Sequence, residues 1–173
     1  MTDKKKLKPL AEMALIGEIV TQSKFAEKAA EQLAKTSDPI EVWGSIQSIL
    51  VAAANVSKIL WPAKKPYLSR GMHLRKLLGI DDSNMLSDRT FRNHFEHYDE
   101  RIEDWFDNNN TAVFMDSRID PFEPAPWDLP QFCHRSYNPS SQTLSFRNKS
   151  IDLAAVLAEL AEIRKKCRFF ALP

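Results

Sequence analysis

The sequence has few of the residues on which several large classes of protein depend. Its 173 residues include four glycines and two cysteines, Cys133 and Cys167, and the formal net charge is +1. So few glycines leave no Gly-rich loop to hold phosphates, and no Gly-x-Ser-x-Gly segment supplies an acyl-transfer nucleophile. Two cysteines without Cys-x-x-Cys spacing are typical of a reduced intracellular protein.

Membrane-spanning and targeting signals are also lacking. No uninterrupted apolar run approaches the length needed to cross a membrane, and no signal-peptide core follows the lysine-rich start of the chain. We therefore expect a cytoplasmic protein with no membrane partner. Because the net charge is close to zero, RNA binding would need a local basic patch, and no DNA binding is predicted.

The pattern of apolar residues predicts five helices, at residues 9–35, 39–61, 67–78, 88–106 and about 150–168. The second helix begins with Asp38 at the N-cap, a proline at the first position and Glu41 at the third. It is nearly apolar all round, so we expect it to be the most buried helix. Gly79 ends the third helix as its C-cap.

Residues 108–150 are predicted to be irregular apart from one β-hairpin. Their first part is rich in Asn, Pro and Asp, with one β-prone run at 111–115. Two further strand-forming runs, 133–137 and 143–147, flank a turn-forming Asn-Pro-Ser-Ser segment. We therefore predict one domain over residues 1–173. Its fold class is all-α, a bundle of about four to five helices with a small β-hairpin and irregular segment before the last helix.

The fourth predicted helix has an unusual polar face, which gathers Arg92, Asn93, Glu96, His97 and Glu100, with His94 and Arg101 at its margin. Asn93 and His97 are four residues apart, so they are neighbours on the helix surface. Arginine pairs with phosphate oxygens, and histidine can move a proton near neutral pH. Free amides in the first turn of a helix also favour an anion. This face therefore predicts a phosphate site.

Simpler roles stay open for the same residues. Arg92 could pair with Glu96 one turn away, and His97 could be an ordinary surface histidine. A metal site is a third interpretation, built from His94, Glu96 and His97 or from Cys133 and His134. These spacings match no known zinc motif, so we predict neither a metal nor a cofactor.

A second group of cations lies on the third predicted helix, whose exposed side would carry Arg70, His73, Arg75 and Lys76. One interpretation is a solvated helix face, which is slightly favoured because isolated positive faces are common. The other is a cationic, RNA-binding rim beside the candidate site.

The pattern Arg92-Asn93-x-x-x-His97 resembles the R-x(4–6)-H motif of HEPN domains. The long helix before it, rich in small residues, is also similar to HEPN architecture. The resemblance covers residues 9–107 and the last helix. It implies a HEPN-like helical bundle and a metal-independent endoribonuclease, of the kind found as toxins in toxin–antitoxin or defence systems.

What the resemblance implies for the site is a homodimer that forms one composite centre on an RNA substrate. Arg92 would stabilise charge on the phosphate, His97 would move the proton or bind the phosphate, and Asn93 would orient His97. Glu96 and His94 would support them. Other HEPN domains have no demonstrated chemistry. They serve as dimerisation, partner-binding or nucleotide-binding modules, often beside a nucleotidyltransferase partner, which would be the antitoxin here.

Overall fold

The computed structural model describes residues 7–108, 113–119, 132–147 and 149–170, and of Phe91, Arg92 and His94 it describes the backbone alone. Six α-helices and four β-strands lie within these ranges, and most of the described residues are helical. The prediction of a mainly helical fold is therefore confirmed. The chain divides into two compact units, Met1–Arg89 with Val156–Pro173 and Thr90–Ala155. We describe each unit by itself, and the single domain stays a prediction.

In the first unit, α1 (Pro9–Leu33) and α2 (Pro39–Leu60) form an antiparallel pair. Their connection is short, and midway along the pair Asn55 of α2 donates a hydrogen bond to Gln22 of α1 at 3.2 Å. The two helices pack closely over much of their length, and α2 buries more residues than any other helix. The prediction that α2 is the most buried helix is confirmed.

The structure confirms the predicted start of α2 and the predicted end of α3. The Asp38 carboxylate accepts the N–H of Glu41 at 3.0 Å, which satisfies an amide that the first turn of α2 leaves open. A 3-10 helix at Lys65–Tyr67 leads into α3 (Leu68–Leu78). Helix α3 ends at Gly79, whose φ of 60° is a left-handed conformation that glycine adopts without steric cost.

The core of the first unit combines α1, α2, α3 and the part of α6 (Leu153–Cys167) that begins at Val156. The one buried hydroxyl near the end of α2 is satisfied, since Ser57 donates to the Leu86 carbonyl at 2.6 Å. The buried apolar side chains of this core include Ile16, Ile19, Ile46, Ile49, Val56, Leu60, Leu74, Leu78, Val156, Leu160, Ile163 and Cys167.

The second unit contains two helices, α4 (Thr90–Glu96) and α5 (Tyr98–Asn108), and a sheet of four strands. The strands are β1 (Arg118–Ile119), β2 (Arg135–Asn138), β3 (Thr143–Phe146) and β4 (Lys149–Asp152). Strands β2, β3 and β4 are antiparallel neighbours, and β1 pairs with β2 in parallel. The predicted hairpin is confirmed as β2–β3, and the Asn138 side chain accepts the N–H groups of Ser140 and Ser141 in its turn. The sheet is larger than predicted because β1 and β4 extend it.

Two boundaries near the sheet correct the sequence analysis. The last helix was predicted to begin at residue 150, but residues 150–152 belong to β4 and α6 starts at Leu153. Asp152 is its N-cap, because its carboxylate accepts the N–H of Ala155 at 3.0 Å. In the predicted β-prone run 111–115, Met115 makes an isolated bridge to Cys133. Residues 111–112, 109–110 and 120–131 lie outside the described residues.

Within the described ranges, no single helix combines the length and apolar character that crossing a membrane requires. Helix α2 and the segment Lys65–Leu78 meet that criterion only as a pair, with a bend of 75° between them.

Candidate functional site

The predicted site helix is two helices, α4 (Thr90–Glu96) and α5 (Tyr98–Asn108), separated by His97. The His97 N–H donates to the Asn93 carbonyl, and the Arg101 N–H donates to the His97 carbonyl, both at 3.1 Å. Hydrogen bonds of the α-helical type therefore reach His97 from both sides. Because α4 has seven residues, its dipole attracts an anion less than the predicted long helix would.

The structure places three of the predicted site residues on the surface of this pair of helices. Asn93, Glu96 and His97 are exposed, and the backbone bond between Asn93 and His97 confirms that they lie one turn apart. His97 Nδ1 lies 3.3 Å from Glu100 Oε1, so a carboxylate holds one side of the imidazole ring. The side chains of Arg92 and His94 lie outside the described residues.

The helix that follows His97 is acidic. Its one basic residue is Arg101, and its five acidic residues are Asp99, Glu100, Glu103, Asp104 and Asp107. The Arg101 guanidinium is itself 3.2 Å from Asp104, so it is partly neutralised. A surface of this charge repels a phosphate backbone unless other cations lie beside it. A phosphate at His97 would therefore need further cations close to it, and one cation that lies against α5 is Arg147, whose guanidinium donates to the Arg101 carbonyl.

The predicted cationic rim on α3 is partly wrong. Arg75 is buried, with 9% of its surface exposed, and it does not lie on the exposed side of the helix. Its guanidinium donates to the Leu60 carbonyl and, at 2.5 Å, to Asp82, and lies over the Trp61 ring. The reason is that Leu60 ends α2, where carbonyls lack helical partners, and Arg75 satisfies one of them.

The other three members of the rim are accessible to different degrees. Lys76 and His73 are exposed, and the His73 ring contacts the Glu12 carboxylate of α1. Arg70 is half-buried and donates to the Lys58 carbonyl at 3.0 Å. The rim is therefore less positive than predicted, because two of its four residues have carboxylate partners.

The second unit contains a polar network that was not predicted from the sequence. Tyr98 donates its O–H to Asp116 Oδ2 at 2.8 Å, and Arg135 donates to both Asp116 oxygens at 2.9 and 2.5 Å. Arg135 also donates to the Tyr98 and Ser117 hydroxyls. These residues belong to α5, β2 and the segment before β1. Their separation along the chain explains why no local pattern indicated the network.

Burial and hydrogen bonding shift the pKa values of two groups in this network. Burial of Asp116 would by itself raise its pKa, but hydrogen bonds from Arg135 and Tyr98 and the charge of Arg135 outweigh burial and lower the pKa. Burial, followed by the hydrogen bond to Asp116, raises the pKa of Tyr98 to about 12. The network is therefore an ion pair with a neutral phenol at physiological pH, and it joins three chain segments.

His134, a residue of the rejected metal interpretation, lies fully buried in the second unit. Its ring packs against those of Tyr98, Phe114 and Phe146, with centroids 5.4, 5.7 and 4.6 Å away. The Cys133 thiol donates to the Arg135 carbonyl at 3.3 Å. In the part of the chain that the structure describes, no three His, Cys, Asp or Glu side chains are grouped as metal ligands would be.

The exposed pair of Asn93 and His97 is thus the part of the predicted site that the structure brings together. Arg92 precedes it by one residue in α4, and Glu100 contacts it from α5. Comparison with models of known protein families, with curated proteins and with solved structures finds no match to this chain.

Proposed function

We propose that this chain is a HEPN-like, metal-independent endoribonuclease whose site is built on α4 and the start of α5. The observation that carries the proposal is the exposed Asn93–His97 pair on successive helical turns, with Arg92 directly before it. A histidine that is open to solvent can meet a large substrate such as RNA. A carboxylate at 3.3 Å can hold the imidazole in one orientation.

The proposed reaction needs only groups that this chain and RNA supply. The ribose 2′-oxygen attacks the adjacent phosphorus, a new O–P bond forms, and the bond from phosphorus to the 5′-oxygen breaks. One proton leaves the 2′-hydroxyl and one reaches the 5′-oxygen, so a cyclic phosphate and a free hydroxyl result. His97 moves a proton in this scheme, and Arg92 stabilises the extra negative charge on the phosphate oxygens.

Two copies of the chain would form one composite centre. This pairing would offset the repulsion between the acidic residues of α5 and the phosphates of RNA. A single α4–α5 surface is acidic, but a second Arg92 and His97 would bring further cations to the same phosphate. Asn93 would orient His97, while Glu96 and His94 would support the centre. A nucleotidyltransferase-type antitoxin is the partner that the HEPN resemblance implies.

A second function is favoured by the charge of α5. Its five acidic residues against one arginine suit a basic protein partner better than a nucleic acid. On this alternative, α4 and α5 form the contact surface of a non-catalytic HEPN-like module for dimerisation, partner binding or nucleotide binding. Arg92 and His97 would then contribute to binding and not to chemistry.

Cleavage of cellular RNA in excess EDTA separates these two functions. We expect the native chain to cut RNA and the variants Arg92→Ala and His97→Ala to lose activity by about 10²–10⁴-fold, the usual contribution of a general acid–base group. Arg168→Ala, which removes an exposed arginine from the end of the chain, is the matched control and should cut normally.

The fold of each variant is checked by circular dichroism, and the products are tested for cyclic phosphate ends. If the native chain leaves RNA intact, or the two site variants cut as well as Arg168→Ala, the ribonuclease proposal is wrong. The binding module is then the function to pursue.

A further inference from the structure

A long stretch of the first unit has no acidic residue. Between Glu41 and Asp81 the chain contains no Asp or Glu, and its cations are Lys58, Lys64, Lys65, Arg70, Arg75 and Lys76. Most of these follow α2, where the chain turns through the 3-10 helix Lys65–Tyr67 into α3. We call Lys64, Lys65, Tyr67 and Arg70 the basic corner.

Contacts within the basic corner hold its members together. The Tyr67 N–H donates to the Lys64 carbonyl at 3.0 Å. The Arg70 guanidinium lies 5.1 Å from the centre of the Tyr67 ring, and it donates to the Lys58 carbonyl at 3.0 Å. An aromatic ring, a guanidinium and two lysines are therefore neighbours within a few residues of chain.

The junction between the end of α2 and α3, which carries the basic corner, is closely packed. Gly71 lies so close to the end of α2 that an added Cβ would be 2.5 Å from both the Leu60 carbonyl oxygen and Pro62 Cδ. Arg75 ties α3 to the same carbonyl and stacks over Trp61. The corner is thus presented by a rigid junction of two helices, which limits the conformational entropy lost on binding.

The charges of the basic corner are available to a ligand. Lys64 and Lys65 are exposed, and neither forms an ion pair with any residue that the structure describes. Tyr67 is 49% exposed, although an aromatic residue of its size is usually more buried. By contrast, the His73 and Arg75 side chains of α3 already contact Glu12 and Asp82.

We propose that the basic corner binds single-stranded nucleic acid. Two lysines and an arginine would contact successive phosphates, and one base would stack on the Tyr67 ring, the combination used by proteins that hold single strands without reading their sequence. An anionic membrane fits less well, because a surface-bound helix needs a broader apolar face than the nearby exposed Leu68 and Met72 supply. This binding does not depend on the proposed cleavage, since a chain that cuts nothing would still hold a strand.

Fluorescence anisotropy with labelled oligouridine and oligothymidine tests the proposal. The oligonucleotides have about twenty nucleotides, which is longer than the ~16 nucleotides that a single OB fold covers at most. The full-length chain is titrated at several salt concentrations between about 50 and 200 mM. The test variants are the double variant Lys64→Ala/Lys65→Ala, together with Tyr67→Ala and its conservative counterpart Tyr67→Phe. Lys24→Ala/Lys35→Ala is the matched control, because it removes two exposed lysines of α1 and its connection.

We expect the native chain to bind both oligonucleotides. The two affinities show whether it prefers RNA or DNA. The slope of log affinity against log salt should become shallower by about 1.4 in the double lysine variant, from 0.7 for each lost phosphate contact. Tyr67→Ala should weaken binding about fivefold or more, while Tyr67→Phe and the control should match the native chain.

Two results would overturn the proposal. One is an equal loss of affinity in the Lys24→Ala/Lys35→Ala control. The other is that the native chain binds neither oligonucleotide, whether or not it binds phosphatidylserine vesicles. RNA cleavage by the native chain and by the double lysine variant is measured in parallel. Binding without cleavage would refute the ribonuclease alone. Cleavage by the native chain, together with unchanged oligonucleotide affinity in the double lysine and Tyr67→Ala variants, would refute this inference alone.

Discussion

Gly71 and Arg75 lie one turn apart on α3, and both contact the end of α2. Their burial depends on these contacts with another helix and not on their spacing along α3. Arg75 was assigned to an exposed face because the spacing within α3 places it beside other cations. Its actual partners, the Leu60 carbonyl, the Trp61 ring and Asp82, all lie outside α3. Periodicity within one helix cannot show such contacts, because it describes the helix alone.

Replacement of Gly71 by alanine should destabilise the protein. The new Cβ would lie 2.5 Å from the Leu60 carbonyl oxygen and from Pro62 Cδ, and neither the helix end nor a proline ring can move freely. We expect the free energy of unfolding to fall by about 1–3 kcal/mol, the usual cost of overpacking, as measured by urea denaturation.

Gly17→Ala is the matched control for this substitution. Gly17 also lies within a helix, but no atom would be within 4 Å of its added Cβ. Alanine has the higher helix propensity, so this variant should be more stable than the native chain, by up to about 1 kcal/mol. Equal stability of the two variants would show that α3 does not pack against the end of α2 as described.

At the scale of elements, the local signals in the sequence were accurate wherever the partner was also local. Asp38 caps α2, Gly79 ends α3, and Asn138 forms the turn of the hairpin, as their residue types indicate. The strands β1 and β4 were missed because two to four residues give too short a pattern, and pairing with β2 and β3 stabilises them. The break at His97 likewise has no signal in the apolar spacing of residues 88–106.

The network around Asp116 holds three elements of the second unit, so Asp116→Asn should destabilise that unit in a pH-dependent way. The pKa of Asp116 lies below its ordinary value of 3.8, so the ionised carboxylate favours the folded state. This contribution is complete above about pH 4 and is lost as the pH falls through the lower, folded-state pKa.

We expect the variant to lose about 2 kcal/mol at neutral pH, less than the 3–5 kcal/mol of a fully buried pair, because 19% and 17% of the Arg135 and Asp116 side chains remain exposed. The difference between native and variant should shrink in acid, as measured by urea denaturation at a series of pH values. Asp99→Asn, at an exposed position of α5, is the control. A difference that stays constant down to pH 2 would contradict the ion pair.

At the scale of the whole molecule, composition and periodicity were sufficient for a mainly helical fold and for the order of its long helices. They were insufficient for the candidate site, since its charge depends on the acidic residues of α5, and the basic corner belongs to the other unit. A motif such as Arg92-Asn93-x-x-x-His97 specifies positions on one helix. It does not specify the second surface that would bring two such helices to one phosphate.

The need for a second copy of the chain leads to a prediction about how activity depends on dimerisation. If the ribonuclease site is composite, one copy of the chain is inactive, and the active fraction follows the concentration of the dimer. Well below the dissociation constant the fraction of chains in dimers is proportional to total concentration, so activity per chain should fall about tenfold for each tenfold dilution. Sedimentation of the same samples measures the dimer directly. Activity per chain that stays constant while the dimer dissociates would show that a single α4–α5 surface acts alone, and Arg92 and His97 of one molecule would then have to meet the phosphate without help.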